Sequence, residues 1–185
     1  MKILIFNGAI RKNGDTAQMI EELTRQLPEH DIHIVHCDDP NISPCVDCRY
    51  CWKNPGCAIK DGMQDVYKRI DEADWIILAS PVHFDEISGS LMQQLSRLQM
   101  YCMARMMRKE ELMQDRMRKG AALLAAGGPG KAEPAHRMMK VLLHCMHATD
   151  ECIIHCKGTD RKAVKDNEAV IEQITQLAKW INGKQ

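Results

Sequence analysis

The chain has 185 residues, 45% hydrophobic and 27% charged, and its 25 basic side chains balance 25 acidic ones. That length suits a single domain over 1–185. Balanced charge argues against a nucleic-acid partner, which needs a basic stripe, and no apolar run approaches the roughly 20 residues that span a bilayer. The opening MKILIFNG turns polar too soon for a signal peptide, so a cytoplasmic location without membrane partners is expected.

Apolar runs alternate with helical patterns along the chain. Lys2 to Phe6 (KILIF) is a strand buried on both faces. Residues 16–27 place Met19, Ile20, Leu23 and Leu27 at helical spacing, and Ile32, Ile34 and Val35 suggest a second strand. Positions 62–72 carry Met63, Val66, Tyr67 and Ile70 on one helical face. Trp75 to Ala79 is a third strand, followed by a helix through Ile87, Leu91, Leu95, Leu98 and Cys102. Ala121 to Ala126 (AALLAA) has helix-favouring alanines, yet its place between Gly120 and Gly127 predicts a fourth strand. A helix through Ala135, Met138, Met139, Leu142, Leu143 and Met146 follows. Cys152 to His155 is a fifth strand, and Val170 to Ile181 a terminal helix.

Five β-α repeats imply an α/β/α sandwich around a parallel sheet. Five strands suit the flavodoxin-like order 2-1-3-4-5, whose ligand lies at the carboxyl ends of the strands. The loops there are NGAIRKNGDT (7–16), SPVHFDEIS (80–88) and GGPG (127–130). The first offers backbone donors running into a helix N-terminus, a cradle for phosphate. The second offers an aromatic wall for a planar ligand, and the third bare amides. Read singly, each is equally a solvated turn.

One irregular stretch, about 37–61, interrupts the alternation and holds Cys45, Cys48, Cys51 and Cys57 at C-x2-C-x2-C-x5-C spacing. Four thiolates at this spacing suit a [4Fe–4S] cluster, zinc or a metal-free thiol loop. The other five of the nine cysteines (Cys37, Cys102, Cys145, Cys152, Cys156) are scattered, and buried thiols are expected. His144 and His147, at i,i+3, are expected as exposed helix residues. Basic residues over 105–119 alternate with Glu110, Glu111 and Asp115 as a solvated face would.

The loops together resemble those of the flavodoxin-fold NAD(P)H-dependent FMN oxidoreductases, in the branch that includes the iron–sulfur flavoproteins. The resemblance is carried by RKNGDT, by PCVDCRYCWKNPGCAIKDGM and by ADWIILASPVHF, with Arg97 where the family helix usually reads Asp-Arg. It covers most of the chain. It implies an FMN phosphate on Arg11, Gly14 and Thr16, with Lys12 and Asp15 alongside. It places the isoalloxazine ring against Pro81, Val82, His83 and Phe84, with Gly127 and Gly128. It further implies NAD(P)H as co-substrate, a small-molecule electron acceptor (quinone, flavin or nitro compound), ping-pong transfer and a homodimer or homotetramer; His83 is, on its own chemistry, a candidate aid to proton delivery. In the iron–sulfur branch the same resemblance implies a [4Fe–4S] cluster on the four cysteines and electron transfer. The sequence departs from the family at Ala9 and Ile10 (usually Ser-Pro), Asp15 (usually Asn) and His83 (usually Tyr), which leaves room for a non-catalytic binding or thiol-sensing member. The methionines from Met100 to Met117 are expected as one helical stripe over a subunit interface or the flavin edge.

Overall fold

The computed structural model describes residues 1–183. Strand β1 (Lys2–Asn7) buries Ile3 and Ile5 on one face and Leu4 and Phe6 on the other. A strand dry on both sides belongs inside a sheet covered by helices. The chain continues through α1 (Asp15–Arg25), β2 (Asp31–His36), a short α2 (Tyr50–Lys53), α3 (Met63–Glu72), β3 (Trp75–His83) and a two-residue β4 (Glu86–Ile87). After these come α4 (Gly89–Leu95), a 3-10 turn over Ser96–Leu98, α5 (Gln99–Met103) and a π-helical turn over Ala104–Arg108. Strand β5 (Lys119–Ala126), α6 (Glu133–Cys145), β6 (Cys152–Lys157) and α7 (Glu168–Ile181) complete it.

The main sheet is parallel, in the order β2-β1-β3-β5-β6. Counting its five long strands, this is the expected 2-1-3-4-5 order, and β4 is an addition that pairs antiparallel with the end of β3. Ile3, Ile5, Trp75, Ile77, Leu123 and Ile154 face α1 and α7. Leu4, Phe6, Ile76, Leu78, Ala122 and Leu124 face α3 to α6. The alanines of β5 make a strand against their helical propensity because two strands flank it, and tertiary pairing overrides local preference.

Three expectations are corrected. Ile87 lies in β4 rather than in the following helix, because Ser88 begins that helix by accepting a hydrogen bond from the Leu91 N–H. The helix then breaks at Ser96–Leu98 and ends by Lys109, whose φ is 58°. The methionine stretch is therefore not one helical stripe: Met100, Met103 and Met113 are buried while Met106, Met107 and Met117 are exposed. Nor is 105–119 a uniformly solvated face. Arg118 is fully buried, and Arg116 and Arg118 donate to the carbonyls of Ile70, Asp71 and Ala73. Cationic donors thus cap the C-terminal end of α3, where the helix leaves acceptors unpaired. Asp71 and Asp74 neutralise the two guanidinium groups.

Gly120 marks the tightest packing against the sheet: a Cβ there would come within 2.2 Å of the Thr149 carbonyl and 2.9 Å of Leu143. Backbone cannot yield as a side chain does. We expect Gly120→Ala to destabilise the fold by about 3 kcal/mol, the upper part of the range for overpacked cores, read as a lower urea midpoint with unchanged m-value.

Candidate functional site

The carboxyl-end loops are tied to one another in a ring. At β1, the Gly8 N–H donates to the Ala79 carbonyl of β3 (2.8 Å), and the Gly8 carbonyl accepts from the hydroxyls of Ser88 and Ser90 (2.7 Å each). A Cβ on Gly8 would lie 2.7 Å from Ser88 Oγ and 2.8 Å from Leu91 Cβ, so only glycine allows the approach. The β3–β4 turn is fastened to the next loop by Asp85, whose carboxylate accepts from the Lys131 N–H (3.0 Å) and whose carbonyl accepts from the Ala135 N–H (3.1 Å). The 126–128 segment accepts from the N–H groups of Gly158, Thr159 and Asp160. Asp15 closes the ring, its carboxylate accepting from the Val164 N–H at 3.3 Å.

Within this ring α1 begins without a side-chain cap. Its first-turn N–H groups at Asp15, Thr16 and Ala17 have no acceptor among the described residues. Open amides at a helix start form an anion site. Gly14 and Thr16 are buried there, while Arg11 and Lys12 are exposed beside it. The Asp15 carboxylate, which would repel an anion, is turned toward Val164 and lies 3.8 Å from the Arg11 guanidinium.

On the neighbouring loop, Pro81 and Val82 are half-buried and His83 is exposed. Phe84 and Asp85 form the two-residue turn between β3 and β4, with φ of 53° and 63°. A two-residue hairpin turn demands such angles and prefers Asn-Gly. A phenylalanine held there costs about 1–2 kcal/mol, and its ring is fully exposed. Gly127 is half-buried and Gly128 exposed. The Asp160 carboxylate would stand 2.6 Å from a Cβ at Gly127, so the β6–α7 loop packs where a side chain would otherwise go.

The ring brings the loops together without enclosing all the expected residues in one cavity. A cleft of about 830 Å³ opens between α1 and β2, bordered by Ile10, Lys12, Gln18, Ile34 and His36. None of Pro81, Val82, His83, Phe84, Gly127 or Gly128 lines it. The reading of the sequence passed over the β6–α7 loop, with Asp160 and Val164. Gly158 directly after a strand was the available signal, the same one used for the other loops.

The cysteine segment forms a second centre. Cys45, Cys48, Cys51 and Cys57 line one cavity together with Arg49, Arg97 and Met100. Burial pushes the Cys51 thiol up, and the Cys45, Cys57 and Cys48 sulfurs beside it push further in the same direction. The cavity has room for about one water, about 20 Å³. No three His, Cys, Asp or Glu side chains among the described residues converge as closely as a single ion requires. A cubane bonds each thiolate to a different iron, so the donor set suits a cluster by its chemistry, and the segment would have to open to admit one. Asp47 and Arg49, with φ of 49° and 58°, carry the strained backbone of this segment.

Arg97 holds the segment in place. Buried at 1% exposure, it donates to the carbonyls of Ser43 (2.8 Å) and Ile59 (3.1 Å) and, through both terminal nitrogens, to the Asp61 carboxylate. It therefore clamps both ends of the cysteine segment. Burial alone would raise the Asp61 pKa, but hydrogen bonds from Arg97 and from the Ser43 and Met63 N–H groups outweigh it and hold it below its ordinary 3.8.

Residues 1–151 match the family model described as NADPH-dependent FMN reductase. An iron–sulfur flavoprotein of Methanocaldococcus jannaschii is 31% identical over 99 residues, 52% of this chain and 51% of the relative. The matched stretch spans about half the length of such curated relatives. Among solved structures, the azoreductase AzrA superposes with a TM-score of 0.69 at 16% identity, over 97% of this chain and all of that one. An FMN-dependent NADH-azoreductase from Bacillus anthracis, solved in complex with FMN, gives 0.65 at 14% identity, over 98% and 99% of the two chains. At these identities the structures establish the shared fold. Among the described residues, no helix is long and apolar enough to cross a membrane.

Arg97→Met removes the clamp and strands a partly buried carboxylate, which costs about 3–5 kcal/mol. Tryptic cleavage at Lys53 and Lys60 should accelerate well before global unfolding. Because Asp61 has a lowered pKa in the fold, its stabilisation is complete above 3.8 and is lost as the pH falls through the lower folded value. Acid-induced opening of the segment should therefore be seen in the parent chain and be absent from the variant.

Proposed function

The chain belongs to the NADPH-dependent FMN reductase family, and on that premise we propose that it is an FMN-dependent NAD(P)H oxidoreductase that reduces a small-molecule acceptor. The observation that carries this reading is the uncapped start of α1, whose open amides lie inside the ring of carboxyl-end loops. A phosphate monoester there would meet the N–H groups of Asp15, Thr16 and Ala17, with Arg11 and Lys12 beside it. The strained, exposed Phe84, with Pro81 and Val82, would supply a wall for the ring, and Gly127 and Gly128 a flat opposite edge. His83, exposed at the end of β3, would hold or pass a proton at that wall. When bound, FMN would supply hydride acceptance from NAD(P)H and electron delivery to a quinone, a flavin or a nitro compound. A shallow, exposed wall of this kind suits completion by a second copy, in a homodimer or homotetramer.

The four cysteines favour a second reading, an iron–sulfur flavoprotein in electron transfer. Cys45, Cys48, Cys51 and Cys57 would hold a [4Fe–4S] cluster, whose negative charge Arg97 and Arg49 would offset across the same cavity. The cluster would supply single-electron storage beside the flavin domain.

Titration of the purified chain with FMN should quench flavin fluorescence with saturation at micromolar protein; no quenching rules the first reading out. Arg11→Ala should weaken binding by about 1.5–3 kcal/mol, as for a charge-assisted hydrogen bond. An unchanged affinity removes Arg11 from the phosphate site.

Protein isolated without oxygen should be brown and contain iron and acid-labile sulfide if the second reading holds. Replacing Cys48 or Cys57 by Ser should remove both. Iron-free protein from a strictly anaerobic preparation defeats that reading and leaves the first intact.

A further inference from the structure

Cys102 and Cys145 were expected as scattered buried thiols, and the fold brings them together. Cys102 lies in α5 and Cys145 is the last residue of α6. Their sulfurs stand 3.1 Å apart although 43 positions separate them in sequence. Both side chains are half-buried, within reach of a small solute, whereas Cys37 and Cys156 are buried. The pair is separate from the four-cysteine cavity, whose lining includes neither residue.

The surroundings suit thiol chemistry. Arg105, one turn beyond Cys102, donates to the Cys145 carbonyl at 3.1 Å, which keeps a guanidinium beside the sulfurs. Glu111 holds the same guanidinium at 2.8 Å and His147 at 3.1 Å. The hydrogen bond from Cys145 pulls the Cys102 thiol down to about 6 against the effect of burial, and Arg105 pulls in the same direction. The shared proton and burial push Cys145 up. One member is thus a nucleophile near neutral pH and the other holds its proton, the division of labour of an attacking and a resolving thiol.

We propose that Cys102 and Cys145 form a redox-active dithiol, which a hydroperoxide converts to an intramolecular disulfide. The Cys102 thiolate attacks one peroxide oxygen, the O–O bond breaks, and Cys102 becomes a sulfenic acid as water (or the corresponding alcohol) leaves. The Cys145 thiol then attacks the sulfenic sulfur, forming the S–S bond and releasing a second water. Two thiols are oxidised by two electrons and one peroxide is reduced. A small dithiol such as dithiothreitol reverses the link by exchange. The disulfide would join α5, whose first residues Gln99 and Met100 border the cysteine cavity, to the far end of α6, whose start is pinned to the β3–β4 turn through Asp85.

The test uses the reduced full-length chain, treated with one equivalent of hydrogen peroxide, alkylated with iodoacetamide and digested with trypsin. Peptide Leu98–Arg105 should be recovered joined to Val141–Lys157 and separate again after dithiothreitol. The second peptide also carries Cys152 and Cys156, so fragmentation must locate the bond at Cys145, and Cys145→Ser must abolish it. Before oxidation, Cys102 should be alkylated at pH 7 at least about ten-fold faster than Cys152, whose thiol burial pushes up to about 11. The principal reading is made on the unmodified chain, so a variant that fails to fold does not blunt it. Recovery of Cys102 and Cys145 both alkylated, while the thiols at 45–57 are oxidised, overturns the proposal. So does Cys102 joined to any other cysteine, or oxidised to a sulfinic acid without a link.

Discussion

Parallel pairing of β1 with β3 is the constraint from which the rest of the molecule follows. Parallel neighbours cannot be joined by a tight turn; each strand must be followed by a crossover before the next begins. Every long strand therefore ends at the same edge, and every loop that could carry chemistry starts there. The register sets Asn7 beside Ala79 and Ala79 beside Leu123, so the first loop leaves the sheet while β3 and β5 run a few residues further before theirs begin. Gly8 exploits the alignment, since its N–H continues the β1–β3 ladder one residue further to Ala79.

The second level of organisation is electrostatic. Three arginines, Arg97, Arg116 and Arg118, are spent on carbonyls rather than on solvent. A guanidinium keeps its charge when buried and presents a fixed fork of donors, so one side chain can bind several strands of irregular chain. Arg97 does this for the cysteine segment and Arg116 and Arg118 for the strap that precedes β5. Each is matched by a carboxylate, Asp61, Asp74 or Asp71, without which burial of the charge would be prohibitive. Segments with few apolar anchors are thus held to the core by charge and hydrogen bonds.

What the sequence disclosed follows from how local each signal was. KILIF and WIILA read as strands because two dry faces leave a continuous apolar run. AALLAA read as a strand only through its flanking glycines. The helix after β3 was misjudged because Ile87 fits helical spacing, while the Ser88 cap that excludes it is a one-residue feature. Arg118 looked solvated because charge patterning does not reveal that its partners, the end of α3 and Asp71, lie 47 residues earlier. The meeting of Cys102 with Cys145 had no local signal at all; it depends on how α5 and α6 pack. The loops around the candidate site were visible as glycine and proline punctuation, but their closure through Asp85, Asp160 and Asp15 was not. Each of those carboxylates acts on backbone far away in sequence, and a short polar side chain in a loop announces no such partner.

Two features of the rim stand out, a strained aromatic turn and an uncapped helix start. Phe84 is held in a left-handed conformation with its ring in solvent. A glycine there would relieve the strain, and no packing would be lost. The start of α1 lacks the side-chain cap that Ser, Thr, Asp or Asn commonly supplies, and a Cβ at position 14 would crowd Arg11 at 3.2–3.3 Å. Gly14 stands there instead, and the nearest carboxylate, Asp15, is diverted to Val164. The local preference is violated at Phe84, and the open helix start lies on the same edge of the sheet. Such conflicts concentrate where structure has been shaped by something other than stability. An exposed aromatic ring and a set of open amides on one edge of the sheet are features that a ligand with a planar end and an anionic end would use, as the proposed reading requires. On the proposed reading, the strain and the missing cap would be what that complementarity costs the isolated chain.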